Sequence, residues 1–304
     1  MFPIIPANTL VEEAGNDEGI FGFGHAAPPH GITNLVSNTG VVSEDVAAVG
    51  TGRHGPMACE YGGDKGIFGF GLIDGTGEQN ISNKVSNAGV VASDTAGVGM
   101  ARNYGAACDY GGDKGIFGFG VSSEGGYGNK NVTNLVSNTG VVASDQAATT
   151  GTARQGLAAT EYGGDKGIFG FGNSGSNIDE TNLVSNVGVV GTDVTGVGTD
   201  RAWGAACKYG EDTGIFGYGV GSYYSLTNKV SNSGVVASDV AGVGTARKGL
   251  AACEYGGDKG IFGFGNDGSA LNVTNLVSNT GVVASDQGET TGTARHVLAA
   301  CSFN

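Results

Sequence analysis

Apolar residues in this chain come in short runs, and none of the runs has a helical period. Each run breaks off at Gly, Asp, Asn or Ser before apolar residues could recur at three- and four-residue spacing over several turns. The strongest run, Ile-Phe-Gly-(Phe/Tyr)-Gly, begins at Ile20, Ile67, Ile116, Ile168, Ile215 and Ile261, at intervals of 47, 49, 52, 47 and 46 residues. Self-similarity with a period near fifty is the mark of propellers and solenoids. In the last full copy, four segments are separated by turn residues: GLAACEYG, then KGIFGFG, then TNLVSNTGVV, then TTGTAR. Short β-branched and aromatic runs bounded in this way read as strands joined by tight turns. Four strands in each of six copies predict an all-β fold, a six-bladed β-propeller of four-stranded antiparallel blades.

The two ends fit together in this reading. Ala294 to Cys301, ARHVLAAC, copies the first segment with no second segment after it, whereas the first GIFGFG, at Gly19, has no clear first segment before it. The C-terminal strand is therefore expected to complete the first blade, giving a propeller over residues 19–304 and an N-terminal arm or attachment peptide over 1–18. Copies one to three match copies four to six in order. Lys84 and Lys229 replace the Leu of NLVSN, and ASDQ precedes an extended TTGTAR at Asp145 to Arg154 and Asp286 to Arg295. Duplication of a three-blade unit, with approximate twofold symmetry, follows.

Composition narrows the function classes. Sixty glycines at fixed repeat positions indicate turns and close strand approach, not low-complexity disorder. A net charge of -14 argues against binding to a phosphate backbone, which requires clustered Lys and Arg, so no nucleic-acid partner is expected. No apolar run is long enough to enter a membrane. The opening MFPIIPANTLVEEAG lacks the pattern of a secretory signal, so synthesis in a host cytoplasm without export is expected. Cys59, Cys108, Cys207, Cys253 and Cys301 share one repeat position, with Thr160 in the remaining copy, and read as small buried thiols.

All six arginines, Arg53, Arg102, Arg154, Arg201, Arg247 and Arg295, also share one position, 8 or 9 residues after Asp45, Asp94, Asp145, Asp193, Asp239 and Asp286. They read as structural bridges to carboxylates or carbonyls between neighbouring strands. The Asp of YGGDKG, as in Asp64 and Asp258, reads as a turn residue bonding its own backbone. Calcium-binding rolls need their Gly-Asp motif every nine residues and this chain has one per fifty, so neither metal nor cofactor is expected.

The order Arg-x-Gly-(apolar)-Ala-Ala, Tyr-Gly-Gly, a strand ending in Gly, a variable loop and a return to Arg resembles the kelch repeat over residues 19–302. That resemblance implies closure by the C-terminal strand. TNLVSNTGVVASD with GTAR, YGGDKGIFGFG and the opening IIPANTL are similar to sequences of marine tailed-bacteriophage proteins. This similarity implies a tail-associated or receptor-binding role on a virion, with residues 1–18 docking to other virion or tail proteins.

Antiparallel pairing places the loops after the second and fourth segments at one end of the fold, and those after the first and third at the other. The second set is nearly invariant between copies; the first diverges, and loops on a rigid scaffold commonly carry binding residues. Candidate ligand-binding residues on that end are His54, Tyr104, Tyr127, Gln155, Trp203, Tyr223, Tyr224, Lys248 and His296. Aromatic faces beside amide and charged groups suit stacking on sugar rings and hydrogen bonding to hydroxyls. His25 and His30 are expected near His54 and His296. Without a catalytic constellation, the expectation is a non-enzymatic module that recognises a host-surface glycan or protein receptor. A virion scaffold is the alternative, and a glycoside hydrolase using Asp74, Glu78, Glu124, Asp179, Glu180 or Asp267 is the third.

Overall fold

The Gly-Ile-Phe-Gly run forms the middle strand of every three-stranded sheet, and its continuous burial reflects contacts on both faces. The computed structural model describes residues 17–147, 149, 151–288, 290 and 292–303; the expected arm, up to residue 16, lies outside the described residues. The fold is all-β, and among the described residues it comprises six three-stranded antiparallel sheets and one short hairpin. The middle strands are Glu18–Gly22, Lys65–Ile73, Lys114–Gly118, Lys166–Gly170, Thr213–Gly219 and Lys259–Asn266. Each is flanked by an inner strand (Met57–Tyr61, Ala106–Tyr110, Ala158–Tyr162, Ala205–Tyr209, Ala251–Tyr255, Ala299–Phe303) and an outer one (Thr33–Val36, Gly77–Val85, Thr133–Val136, Thr181–Val184, Tyr224–Val230, Ala270–Val277).

The last strand pairs with the first, from Glu18 opposite Phe303 to Gly22 opposite Ala299. Among the described residues, sheet structure thus begins at Glu18, one residue ahead of the expected boundary. Every inner strand touches the inner strands of the sheets before and after it, and Ala299–Phe303 touches Met57–Tyr61. A narrow cavity of about 50 Å3 is lined by residues of all six inner strands.

Among the described residues, the expected fourth strand does not form. In the second sheet, residues 91–102 run beside the outer strand without a continuous ladder: they meet it at the isolated bridges Val85–Val91 and Ser82–Thr95 and at a backbone bond from Arg102 to Gln79, with Asn80 Nδ2 donating to the Gly99 carbonyl and Asn83 Nδ2 to the Ala92 carbonyl. This stretch is Gly-Ala-rich and largely exposed, so it has few side chains to pack and a high entropic cost of extension. Side-chain hydrogen bonds hold it where a ladder would otherwise be needed.

Successive sheets interlock through the glycines. A Cβ built on Gly115 would lie 2.4 Å from Cys59 Sγ, and one on Gly69 2.9 Å from the tip of the Phe117 ring. The same pairings recur around the molecule, from Gly19 against Cys253 to Gly263 against Phe21, which explains both the glycine content and the buried, free thiols. Gly115→Ala is therefore expected to destabilise the protein by about 1–3 kcal/mol through overpacking. Thermal unfolding should show Cys59→Ala recovering part of that loss in the double variant, and a neutral Gly115→Ala would contradict the interlock.

The second aromatic of each pentad (Phe23, Phe70, Phe119, Phe171, Tyr218, Phe264) has φ between 62° and 64°. This left-handed conformation swings the ring out of its strand and edge-on to the first Phe of the next sheet, at centroid distances of 5.1–5.3 Å. An arginine covers each such ring, its guanidinium carbon 3.8–4.6 Å from the centroid. Arg53 also donates to the Phe70 carbonyl at 2.6 Å, to the Thr51 carbonyl at 3.2 Å and to Asn83 Oδ1 at 2.8 Å. It thereby joins Phe23 of one sheet to Phe70 and Asn83 of the next. Burial lowers its pKa to about 10, with Asp94 acting in the opposite direction.

Each arginine lies near the aspartate of the following copy, not the one 8 or 9 residues before it: Arg53 Nη1 is 4.0 Å from Asp94 Oδ1, and Arg295 Nη1 is 4.0 Å from Asp45 Oδ1. Sequence spacing misses this because the chain crosses to the next sheet between Asp and Arg. Asp94 accepts hydrogen bonds from Asn83 Nδ2 and from both the amide and hydroxyl of Thr51. Equivalent bonds from Thr293 to Asp45 span 248 positions of sequence. Partial burial opposes ionisation of Asp94 and Asp45, but the hydrogen bonds outweigh it and hold both below the ordinary carboxylate value.

The aspartate of YGGDKG does not cap its own turn. Asp258 pairs with Lys259 and accepts from Asn279 Nδ2 at 3.0 Å; Asp113 does the same with Lys114 and with Asn138 at 3.0 Å. The following Lys and the nearby Asn supply donors that its own backbone would otherwise have provided.

Candidate functional site

The segments that follow each arginine converge on one end of the fold. Gly55 N–H donates to the Val297 carbonyl, Tyr104 to Gly55, Gly156 to Tyr104, Trp203 to Gly156, Gly249 to Trp203 and Val297 to Gly249, at 2.6–3.0 Å. These six bonds return to their starting residue. All six residues have positive φ, between 52° and 62°, and alternate between Gly and a larger side chain. The glycines make room: a Cβ on Gly55 would lie 2.5 Å from the Tyr104 ring, and one on Gly156 2.9 Å from the Trp203 ring.

This corrects the sequence alignment. His54, Gln155, Lys248 and His296 directly follow their arginines and bridge to the end of the middle strand or to the residues just after it, whereas Tyr104 and Trp203 lie one residue further on, at the positions of Gly55 and Gly156. Asn103 and Ala202 occupy the places aligned with His54. The glycine alternation was the available signal.

Above the ring, Tyr104, Trp203, Lys248, Gly249, His296 and Val297 line a cavity of about 180 Å3. Tyr104 and Trp203 meet edge to face at 4.8 Å. Lys248 Nζ lies 5.6 Å above the Tyr223 ring. Tyr224 reaches the same segment through its carbonyl, which accepts from Arg247 N–H at 3.4 Å. Tyr127 is 78% exposed at the tip of the hairpin formed by Val121–Ser122 and Gly128–Asn129. Gln155 bridges Asn173 through its backbone, and among the described residues its side chain has no hydrogen bond.

Three of the four histidines gather beside the cavity. His25 has its ring centroid 5.3 Å from both His54 and His296. His54 Nε2 is 3.1 Å from Asp74 Oδ1, and its Nδ1 is 3.1 Å from the Tyr104 hydroxyl. A carboxylate only accepts, so Nε2 carries the proton; Nδ1 then accepts from Tyr104. Burial lowers the His54 pKa, with Asp74 opposing, and pushes the Tyr104 phenol up to about 12. Burial and the neighbouring His25, His54 and Lys248 bring His296 down to about 4, leaving it neutral at pH 7. Among the described residues, no group of three or more His, Cys, Asp and Glu side chains is arranged to hold a metal ion.

The loop carboxylates are engaged locally. Asp74 serves His54, Glu78 accepts from Ser123 Oγ, Glu124 from Ala101 N–H and Asp267 from Ser269 N–H. Asp179 packs against Gly196, and Glu180 Oε2 is buried without a hydrogen bond.

Acidic residues converge elsewhere. Glu60, Asp109, Glu161, Lys208, Glu254 and Ser302 hold the equivalent position on the six inner strands, facing the narrow cavity, and the first four also line a cavity of about 270 Å3. Lys208 Nζ lies 3.2 Å from Glu254 and 3.4 Å from Glu161. Burial, reinforced by Glu161, raises Asp109 to about 7; burial raises Glu254 to about 7 against the pull of Lys208, and Glu60 is also well above its ordinary value. The signal missed in sequence was the residue before each Tyr-Gly: equivalent positions on inner strands that face one cavity must meet.

The commitments of the remaining lysines set Lys248 apart. Lys65, Lys114, Lys166 and Lys259 pair with the aspartate before them, and Lys208 with two glutamates. Lys84, Lys130 and Lys229 donate to backbone carbonyls. Among the described residues, the Lys248 ammonium has no hydrogen bond or ion pair; its backbone pairs with Asn266. No protein-family model matches the chain, and a search of curated proteins finds no match.

Proposed function

We propose that the chain is a closed six-bladed β-propeller, three regular strands to a blade, acting as a non-enzymatic binding module. Its target is a host-surface glycan, recognised at the end that carries the histidines, Tyr104 and Trp203. The setting that fits the sequence similarity is a phage tail or virion, with residues 1–18 docking to other particle proteins.

The cyclic contacts of the inner strands and the six-membered hydrogen-bond ring support the architecture. One observation carries the function: half-buried Tyr104 and Trp203 stand over a sealed backbone floor with Lys248 and His296 beside them. Aromatic rings held this rigidly present a stacking surface at little entropic cost. Glycan-array binding should fall about ten-fold or more for Trp203→Ala, because Trp203 lines the cavity and the loss of a central contact costs about 1.4 kcal/mol or more, with a smaller loss for Tyr223→Ala, because Tyr223 acts through Lys248. Unchanged binding by both variants would remove this end as the site.

A further inference from the structure

We infer that the cavity between Tyr104, Trp203, Lys248 and His296 takes a carboxylate-bearing sugar ring, with the carboxylate on Lys248 and an apolar sugar face on Trp203. The inference rests on the reading of this end as a glycan-binding surface, and it specifies the class of sugar.

The floor contributes little to polar recognition, because its six N–H groups are already spent on one another around the ring. Selectivity must come from side chains. Lys248 is a cation with no carboxylate, carbonyl or hydroxyl partner among the described residues, in a protein of net charge -14. Every other lysine is committed, so the free ammonium in the cavity wall is a local exception to a surface that repels anions. The aromatic ring of Tyr223 holds it in place without neutralising it.

Tyr104 and His296 add acceptors, and the Trp203 indole N–H is a donor that a sugar hydroxyl can satisfy. His296 Nδ1 lies 3.0 Å from the His25 carbonyl, which can only accept, so the neutral ring's remaining lone pair is on Nε2. The Tyr104 proton is directed to His54, because His54 Nε2–H is directed to Asp74, and this leaves the phenol oxygen as an acceptor. One free cation and two acceptors match a ligand that carries one carboxylate and several hydroxyl donors. Trp203 lies with one face on Gly156 and lines the cavity it borders. At about 180 Å3 the cavity is smaller than the roughly 300–1,000 Å3 of drug-sized pockets. It accommodates one terminal ring, not a chain.

Binding should be measured by calorimetry with three probes: an oligoglucuronate, the same oligosaccharide with its carboxyls reduced to alcohols, and sialyllactose. At least one acidic probe should bind about ten-fold or more tightly than the reduced one, as a charge-assisted contact of about 1.4 kcal/mol implies. Which acidic probe wins identifies the source of the carboxylate. Lys248→Gln should abolish the difference and Lys248→Arg should keep it, with the unfolding midpoint of both unchanged. Equal affinity for acidic and reduced probes overturns the inference while leaving the glycan reading intact. Binding of none of the three by the folded protein, together with a blank neutral-glycan array, overturns both.

Discussion

Arg53→Ala is expected to lower the unfolding free energy by about 3–5 kcal/mol, the range seen when one member of a buried charged network is removed. The guanidinium is fully buried, and its loss would strand the Phe70 carbonyl, Asn83 Oδ1 and part of Asp94. It would also uncover the Phe23 ring, whose left-handed backbone is held in place by the stacked cation. Arg53→Lys should recover little, since a single ammonium cannot reach two carbonyls and an amide along divergent directions while stacking on a ring. Chemical denaturation of the two variants beside Lys65→Ala, a change at an exposed pair, tests this. A loss below about 1 kcal/mol for Arg53→Ala would place the arginines among ordinary surface ion pairs.

The second large effect is a loss of stability between about pH 4 and pH 7. Asp109, Glu254 and Glu60 have folded-state pKa values raised above those of free carboxyls, so the folded protein holds protons that the unfolded chain has released. Stability from these groups is present below about pH 4 and declines as pH rises through about 7. For Asp109 and Glu254 together the decline is on the order of a few kcal/mol, because each pKa unit corresponds to about 1.4 kcal/mol. The aspartates between sheets act in the opposite direction: Asp45, Asp94, Asp193, Asp239 and Asp286 are held below 3.8, so their contribution is lost only as pH falls below that value. Melting temperature against pH should therefore peak near pH 4 and fall on either side. Asp109→Asn combined with Glu254→Gln should flatten the alkaline limb, and an unchanged limb in that variant would exclude the cluster as its source.

Much of this was legible from spacing alone. The middle strands, the pairing of Ala299–Phe303 with Glu18–Gly22 and the two sets of loops follow from repeated turn chemistry and from the incomplete copies at the chain ends. The fourth segment misled because its Val and Thr residues carry β propensity, while its exposure and glycine content decide against a ladder. The candidate site was half legible. Aromatic residues near the arginines were visible, but the one-residue offset separating His54 from Tyr104 reverses which side chain bridges outward and which sits over the ring.

By itself the sequence determined the period, the strand chemistry and the glycine positions, since these depend on neighbours within a few residues. Only the tertiary structure decided which aspartate lies near each arginine, that Asp74, His54 and Tyr104 form a chain, and that four carboxylates crowd around Lys208. Those relations join residues tens to hundreds of positions apart in sequence, and their consequences depend on burial, which changes the charge a carboxyl or imidazole carries at a given pH without changing a letter of the sequence.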